Sequence, residues 1–324
     1  MLSLSKSLVC TLGFAAVVLI PISVSGARAA DEQPDSCSSI INDAKRLRCF
    51  DEANGAAAET APTGIWRNRI EQDADRDTFT LTALKPNYFT YSYLTDPNQE
   101  PYEFLDEGDR LDNSELKFQL SFQSKLADDL FDKQADLWFG YTQVSYWQAL
   151  NTDISSPFRE TNYEPEIFVS FLTDYELLGL DGGVFKLGVV HQSNGRGEPL
   201  SRSWNRIYAE FVLEQGDVAL SFRPWVRIDE EDDDNNPDIT DYLGHYELRA
   251  AYKWGDHVFS AMSRNNLESG FSKGAVELGW SFPLGSYPYL KGYVQYFYGY
   301  GESLIDYNER VNRIGVGFAL TDWL

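Results

Sequence analysis

The chain is poor in several of the features that usually classify a protein of its length. Its 324 residues include three cysteines, three histidines and two methionines, and 27 basic residues stand against 50 acidic ones. The formal charge of -23 makes nucleic acid an unlikely partner, because phosphate backbones are bound through basic surfaces. Long apolar runs are also scarce. One extends from Leu8 to Ile22, behind Lys6 and ahead of the small-residue stretch Ala27-Arg28-Ala29, which is the pattern of a secretory signal cut near Ala29 or Ala30. No other segment approaches the roughly 20 apolar residues of a spanning helix, so the mature chain is expected to have none. The signal takes Cys10 with it and leaves Cys37 and Cys49. With no histidine near them in sequence, that pair reads as a structural disulfide in an oxidising periplasm rather than a metal or catalytic site. No long-period repeat of the solenoid kind is present.

What is abundant is alternation. The segment around the two cysteines has helical spacing of Ile40, Ile41, Ala44 and Leu47, and the stretch from Ala53 to Thr63, rich in alanine and threonine, reads as a linker. We therefore divide the chain into a signal (residues 1–30), a periplasmic N-terminal segment with its linker (31–75) and one domain (76–324). In that domain about twelve segments of roughly ten residues alternate polar and apolar between turn-rich stretches, from N-Y-F-T-Y-S-Y-L to I-G-V-G-F-A-L. A soluble sandwich or a lipocalin-like barrel also alternates. The polar positions decide against these: Lys117, Gln119, Lys186, Arg206, Glu210, Arg223, Arg249 and Glu277 are too charged for a soluble core but suit a polar lumen. Aromatic residues at 15% with a mean hydropathy of -0.37 fit interfacial belts on such a barrel. The expected fold is all-β: a twelve-stranded antiparallel transmembrane β-barrel of the outer membrane, although the terminal Trp323-Leu324 is a weaker end signal than a final aromatic.

One strand carries chemistry. In V-F-K-L-G-V-V-H-Q-S, Phe185, Leu187, Val189, His191 and Ser193 share a face, while Lys186, Gly188 and Gln192 share the other. In N-R-I-Y-A-E-F, Asn205, Ile207, Ala209 and Phe211 form the apolar face in turn. If the two segments form a hairpin, a nucleophile, a base and an amide converge at one rim of the lipid-facing side. Residues i and i+2 of a strand lie about 6 to 7 Å apart and point the same way, which lets a histidine nitrogen reach a serine hydroxyl. A lone His-x-Ser is a common chance pairing, with a rim histidine as the competing reading; the amide on the neighbouring segment adds weight, and the resemblance of the loop that follows adds the rest.

The motif H-Q-S-N-G-R-G-E-P-L-S-R-S-W-N-R, together with S-S-P-F-R-E-T-N-Y-E-P, N-N-P-D-I-T and Y-G-Y-G-E-S-L-I-D-Y-N, closely resembles the outer membrane phospholipase A family over roughly residues 80 to 324. The resemblance implies a twelve-stranded barrel that hydrolyses phospholipid acyl esters (A1/A2 and lysophospholipase type) with calcium, as a homodimer. By motif position Ser193 is the nucleophile, His191 the general base and Asn205 the orienter of the imidazole. The Gly195 amide and a calcium-bound water would stabilise the oxyanion. Calcium would take the Arg196 carbonyl and a Ser201 oxygen, with Ser155 supplied by the partner subunit. Glu198 with Asp234 would make a second calcium site, set against plain solvated charge in the Asp229–Asp234 run. Gln143 matches a position at the dimer contact, with a lumen-facing glutamine as the competing reading. His245 and His257 are taken as interface or loop residues. The rival functions are a porin-like or catalytically silent barrel and a soluble ligand-binding barrel.

Overall fold

A strand in hydrocarbon must satisfy its whole backbone through its neighbours, and an open sheet fails at both edges. The computed structural model describes residues 77–102, 110–133, 135–173, 176–177, 179–230, 234–285 and 287–323, and over these the chain meets that demand by closing on itself. The strands are β1 Asn87–Leu94, β2 Ser114–Asp129, β3 Ala135–Trp147, β4 Phe158–Leu172, β5 Leu180–Ser193, β6 Ser203–Gln215, β7 Val218–Ile228, β8 Tyr246–Trp254, β9 His257–Asn265, β10 Gly274–Leu284, β11 Tyr287–Tyr300 and β12 Arg310–Thr321. Each pairs antiparallel with the next, and β12 returns to β1 with Val316 opposite Tyr91 and Phe318 opposite Phe89. The twelve-stranded antiparallel barrel expected from alternation is the fold observed. None of the described helices is long and apolar enough to cross a membrane. The signal, the Cys37/Cys49 segment and the linker lie outside the described residues.

Alternation sets an apolar exterior against a charged interior. Leu187, Val189, Ile207, Val226, Leu248 and Val316 are exposed on the outside, whereas Glu115, Lys117, Arg159, Glu210 and Arg313 are buried inside. The two ends differ. At one, two-residue turns built on Gly216 (φ 56°) and Gly255 (φ 58°) join β6 to β7 and β8 to β9, where a left-handed backbone favours glycine. At the other lie the long connections 95–113, 148–157, 194–202, 229–245, 266–273 and 301–309. Short turns at one end and long loops at the other are the usual polarity of an outer-membrane barrel. An aromatic row marks the short-turn side: Phe171, Phe185, Phe211 and Phe222 sit directly across from one another on four successive strands, with ring centroids 5.1 to 6.5 Å apart. His191 lies six residues beyond Phe185 on β5, about 20 Å along the strand, which places it near the opposite membrane interface.

Paired charges occupy much of the lumen. The connection 301–309 turns inward, and Glu302 takes Lys117 (2.9 Å) and Arg313 (2.7 Å) while Asp306 takes Arg159 (2.7 Å). Glu115 joins the two halves through ion pairs with Arg159 (2.9 Å) and Arg313 (2.7 Å) and a hydrogen bond from Gln148. Inside the barrel at the site-bearing end, Trp138, Phe168, Trp204, Tyr208, Trp225, Ile239, Leu243, Leu304 and Tyr307 pack as an apolar cluster. A buried ion pair is worth little over an apolar replacement, but removing one partner leaves a stranded charge. Arg159→Ala should therefore cost about 3 to 5 kcal/mol, read as denaturant unfolding in micelles. A loss below about 1 kcal/mol would show that the network is not fully desolvated.

Candidate active site

β5 and β6 form the expected hairpin, in the register that matters: Val189 faces Ile207, His191 faces Asn205 and Ser193 faces Ser203. His191 Nδ1 lies 2.8 Å from Asn205 Oδ1. Asn205 Nδ2 in turn donates to Glu230 Oε1 at 2.6 Å, across from the end of β7, where Asn205 is paired with Ile228. Among the described residues no hydrogen bond joins Ser193 to His191, although both continue the outward row of Leu187 and Val189. With Nδ1 engaged by Asn205, the nitrogen left for the serine is Nε2.

The backbone turns sharply just past the serine. Gly195 has φ +64°, and a Cβ there would stand 3.1 Å from the Tyr163 ring, so both conformation and space call for glycine. Tyr163 is also the β4 residue directly opposite Ser193. The loop 194–202 is organised by the buried side chain of Asn194. Its Oδ1 accepts from the amides of Arg202 (3.0 Å) and Arg196 (3.3 Å), and its Nδ2 donates to the Leu200 carbonyl (2.8 Å). Ser201 Oγ accepts from Asn235, which ties this loop to the β7–β8 connection, and Asn236 Oδ1 accepts from the Ser203 amide. The Arg196 side chain reaches back to Glu160 (3.4 Å) and to the carbonyl of Phe158 (3.2 Å) on β4, and no described hydrogen bond ends on its own carbonyl.

The remaining predicted residues sit elsewhere. Ser155 is exposed at the tip of the β3–β4 connection with φ 59°, in a turn held by Asn151 and Gln148; it does not reach the 194–202 loop of its own chain through any described bond. Asp234 is taken by Arg227 Nη2 (2.7 and 2.8 Å), which occupies the carboxylate proposed for a second calcium site with Glu198. Among the described residues no three His, Cys, Asp or Glu side chains gather as a metal cluster. Gln143 corrects the lumenal reading: it faces outward opposite Leu120 and Tyr163, accepts from Tyr141 (3.0 Å) and donates to Ser145 (3.1 Å). His257 stacks between Trp254 and Trp280 near the short turns, far from the site.

Residues 66–320 match the family described as Phospholipase A1. A "Phospholipase A1" of Escherichia coli (strain K12) is 43% identical over 244 residues, 75% of this chain and 82% of that protein. The chain belongs to the outer membrane phospholipase A family. Among solved structures, the Salmonella typhi outer membrane phospholipase dimer with bound calcium is 40% identical with a TM-score of 0.73, covering 79% of this chain and 98% of that one. An active-site variant of the Escherichia coli outer membrane phospholipase A, with an asparagine replaced by alanine, is also 40% identical at TM-score 0.73, covering 80% and 99%. Fold and family together make the protein an outer-membrane enzyme of the phospholipase A class.

Sequence reading missed three polar residues of this phospholipase. Asn194 and Asn236 carry no chemistry of their own, and only the buried loop backbone they satisfy reveals them. Glu230 was hidden in the acidic run, yet its position was readable: it continues the outward parity of Val226 and Ile228 just beyond β7. Asn194→Ala should leave barrel unfolding nearly unchanged while lowering hydrolysis by about a hundredfold through a displaced loop. Wild-type turnover in that variant would show that the loop backbone holds without it.

Proposed function

We propose that the chain hydrolyses acyl ester bonds of phospholipids, as a phospholipase of A1/A2 and lysophospholipase type, with Ser193 as nucleophile, His191 as general base and Asn205 as orienter. The observation that carries this is the 2.8 Å bond between His191 Nδ1 and Asn205 Oδ1 on the lipid-facing side, two residues from an outward serine. The active-site asparagine of the Escherichia coli relative supports the same assignment. As the Ser193 oxygen bonds to the acyl carbon, its proton passes to His191 Nε2, and the carbonyl oxygen takes up charge facing the Gly195 amide. The lysophospholipid oxygen leaves with the proton from Nε2, and water repeats the sequence on the acyl-serine.

Calcium belongs to this reading. The carbonyl of Arg196 and the hydroxyls of Ser201 and Ser155 are hard oxygens of the kind the ion takes, and the Salmonella typhi relative holds calcium as a dimer. When bound, the ion would supply positive charge to stabilise the developing oxyanion. Ser155 stands apart from the loop of its own chain, which fits a donor to a second copy. The outer face between the two offers a contact: Tyr141, Gln143, Ser145 and Thr161 form a hydrogen-bonded polar row on a surface otherwise made for lipid. The ion-paired lumen, occupied by the inward-turned 301–309 connection, disfavours the porin reading. The working enzyme is then the barrel domain 76–324, exported by its signal and preceded in sequence by the 31–75 segment.

The deciding measurement is fatty-acid release from mixed micelles with and without calcium; equal rates in excess chelator would remove calcium from the mechanism. Ser193→Ala should fold and insert normally and release essentially no fatty acid, and wild-type-like turnover would sink the nucleophile. Asn205→Ala should keep measurable activity while His191→Ala does not, since an orienter contributes less than the base. If Ser155 bridges subunits, calcium and dimerisation strengthen each other by the same factor. Sedimentation across a calcium titration with an acyl inhibitor bound should show this, with the coupling weakened in Ser155→Ala. A dimer fraction indifferent to calcium would refute the bridge.

A further inference from the structure

We propose that Glu230 is a positioning residue that fixes which way the Asn205 amide faces and thereby which nitrogen of His191 carries the proton; the inference deepens the Ser193–His191–Asn205 assignment and rests on it. An asparagine amide has one acceptor oxygen and one donor nitrogen, and a half-turn about its last bond exchanges them. A carboxylate only accepts. Because Glu230 Oε1 lies 2.6 Å from the Asn205 amide, the amide must turn Nδ2 toward Glu230, and Oδ1 is then the atom that meets His191 Nδ1 at 2.8 Å. Oδ1 also only accepts, so Nδ1 must hold the hydrogen and Nε2 must carry the lone pair. That is the form of the imidazole that can take a proton from Ser193. With the amide reversed, Nδ2 would donate to a bare Nδ1, the hydrogen would sit on Nε2, and the base would be blocked.

Nothing else described competes for this control. The hydrogen bond to Asn205 is the one recorded for Glu230 among the described residues, and Asn205 has no bonded side chain other than His191 and Glu230. The placement also fits the medium. Glu230 is half-buried two residues past the end of β7, in the connection beyond the exposed apolar residues Val226 and Ile228, so its charge stays at the rim while the neutral amide stands between it and the lipid-facing histidine.

The test uses the full-length mature protein in detergent micelles with histidine labelled by nitrogen-15. The chain has three histidines, so His245→Gln and His257→Gln identify the remaining signal. At a pH where the ring is neutral, His191 of the unsubstituted protein should show its hydrogen on Nδ1, and Glu230→Ala and Glu230→Gln should shift it toward a mixture with the Nε2 form. In fatty-acid release, both variants should lose about tenfold in kcat with KM little changed, the scale of a lost hydrogen bond to a charged group. Glu230→Gln keeps the size and an acceptor oxygen but can face the amide either way, so it separates the loss of direction from simple loosening. A wild-type His191 protonated on Nε2, or variants with unaltered tautomer and kcat, would overturn the role of Glu230. If the unsubstituted protein releases no fatty acid while its tautomer still follows Glu230, the hydrolase assignment fails and the orienting role stands.

Discussion

A side chain facing hydrocarbon has no water to complete its hydrogen bonds, and the rest of this molecule follows from that constraint. The backbone answers it by closing twelve strands into a ring, since every strand edge then finds a partner. The side chains answer it by inversion, with apolar residues outward and carboxylates and guanidinium groups inward. The hydrolytic site proposed on the outer face is an exception that must be compensated locally. His191 and Ser193 can sit there because they are at the end of β5, about 20 Å along the strand from the aromatic row at Phe185, where water and lipid headgroups meet the barrel.

The lumen shows the same constraint from inside. An empty ring of twelve strands would leave Lys117, Arg159 and Arg313 facing water, whereas the inward-turned 301–309 connection brings Glu302 and Asp306 to meet them. The buried charges gain specificity more than energy, because pairs of this kind roughly break even against desolvation. What they fix is the position of the loops around the site. Arg159, held at the rim by Glu115 and Asp306, opens β4 next to Phe158 and Glu160, and Arg196 of the 194–202 loop docks on that strand end. The wall of the site is thus braced from within the barrel.

Much of this was legible in the sequence because period-two alternation leaves few options: once Leu187 and Val189 face lipid, His191 and Ser193 do as well, and Lys186 faces the lumen. All twelve alternating segments became strands. Their extents were less legible, as β4 shows by beginning at Phe158, well before E-I-F-V-S-F-L, in a stretch where Arg159 and Glu160 disguise a strand whose inner face is charged. Beyond the β5–β6 hairpin, cross-strand neighbours were out of reach, so Gln143 had two readings until its neighbours Leu120 and Tyr163 placed it outside. Loop partners were less visible again. Arg227 claims Asp234 across a connection, and no periodicity reports that.

The last step concerns where a charged orienter can stand. Serine hydrolases in water commonly back the histidine with a carboxylate, whose charge steadies the imidazolium. Directly against the lipid-facing His191, that carboxylate would be poorly solvated and would favour its own protonation, losing the charge that made it useful. An amide in its place keeps the geometry but is symmetric in shape, and by itself does not distinguish the productive orientation from the reversed one. Setting the carboxylate one hydrogen bond further back, at the rim, resolves both difficulties: Asn205 faces the membrane as a neutral group, and Glu230 gives it direction. The division of labour follows from the boundary itself, since only at the end of a strand can one residue lie in the apolar layer and its hydrogen-bond partner lie outside it.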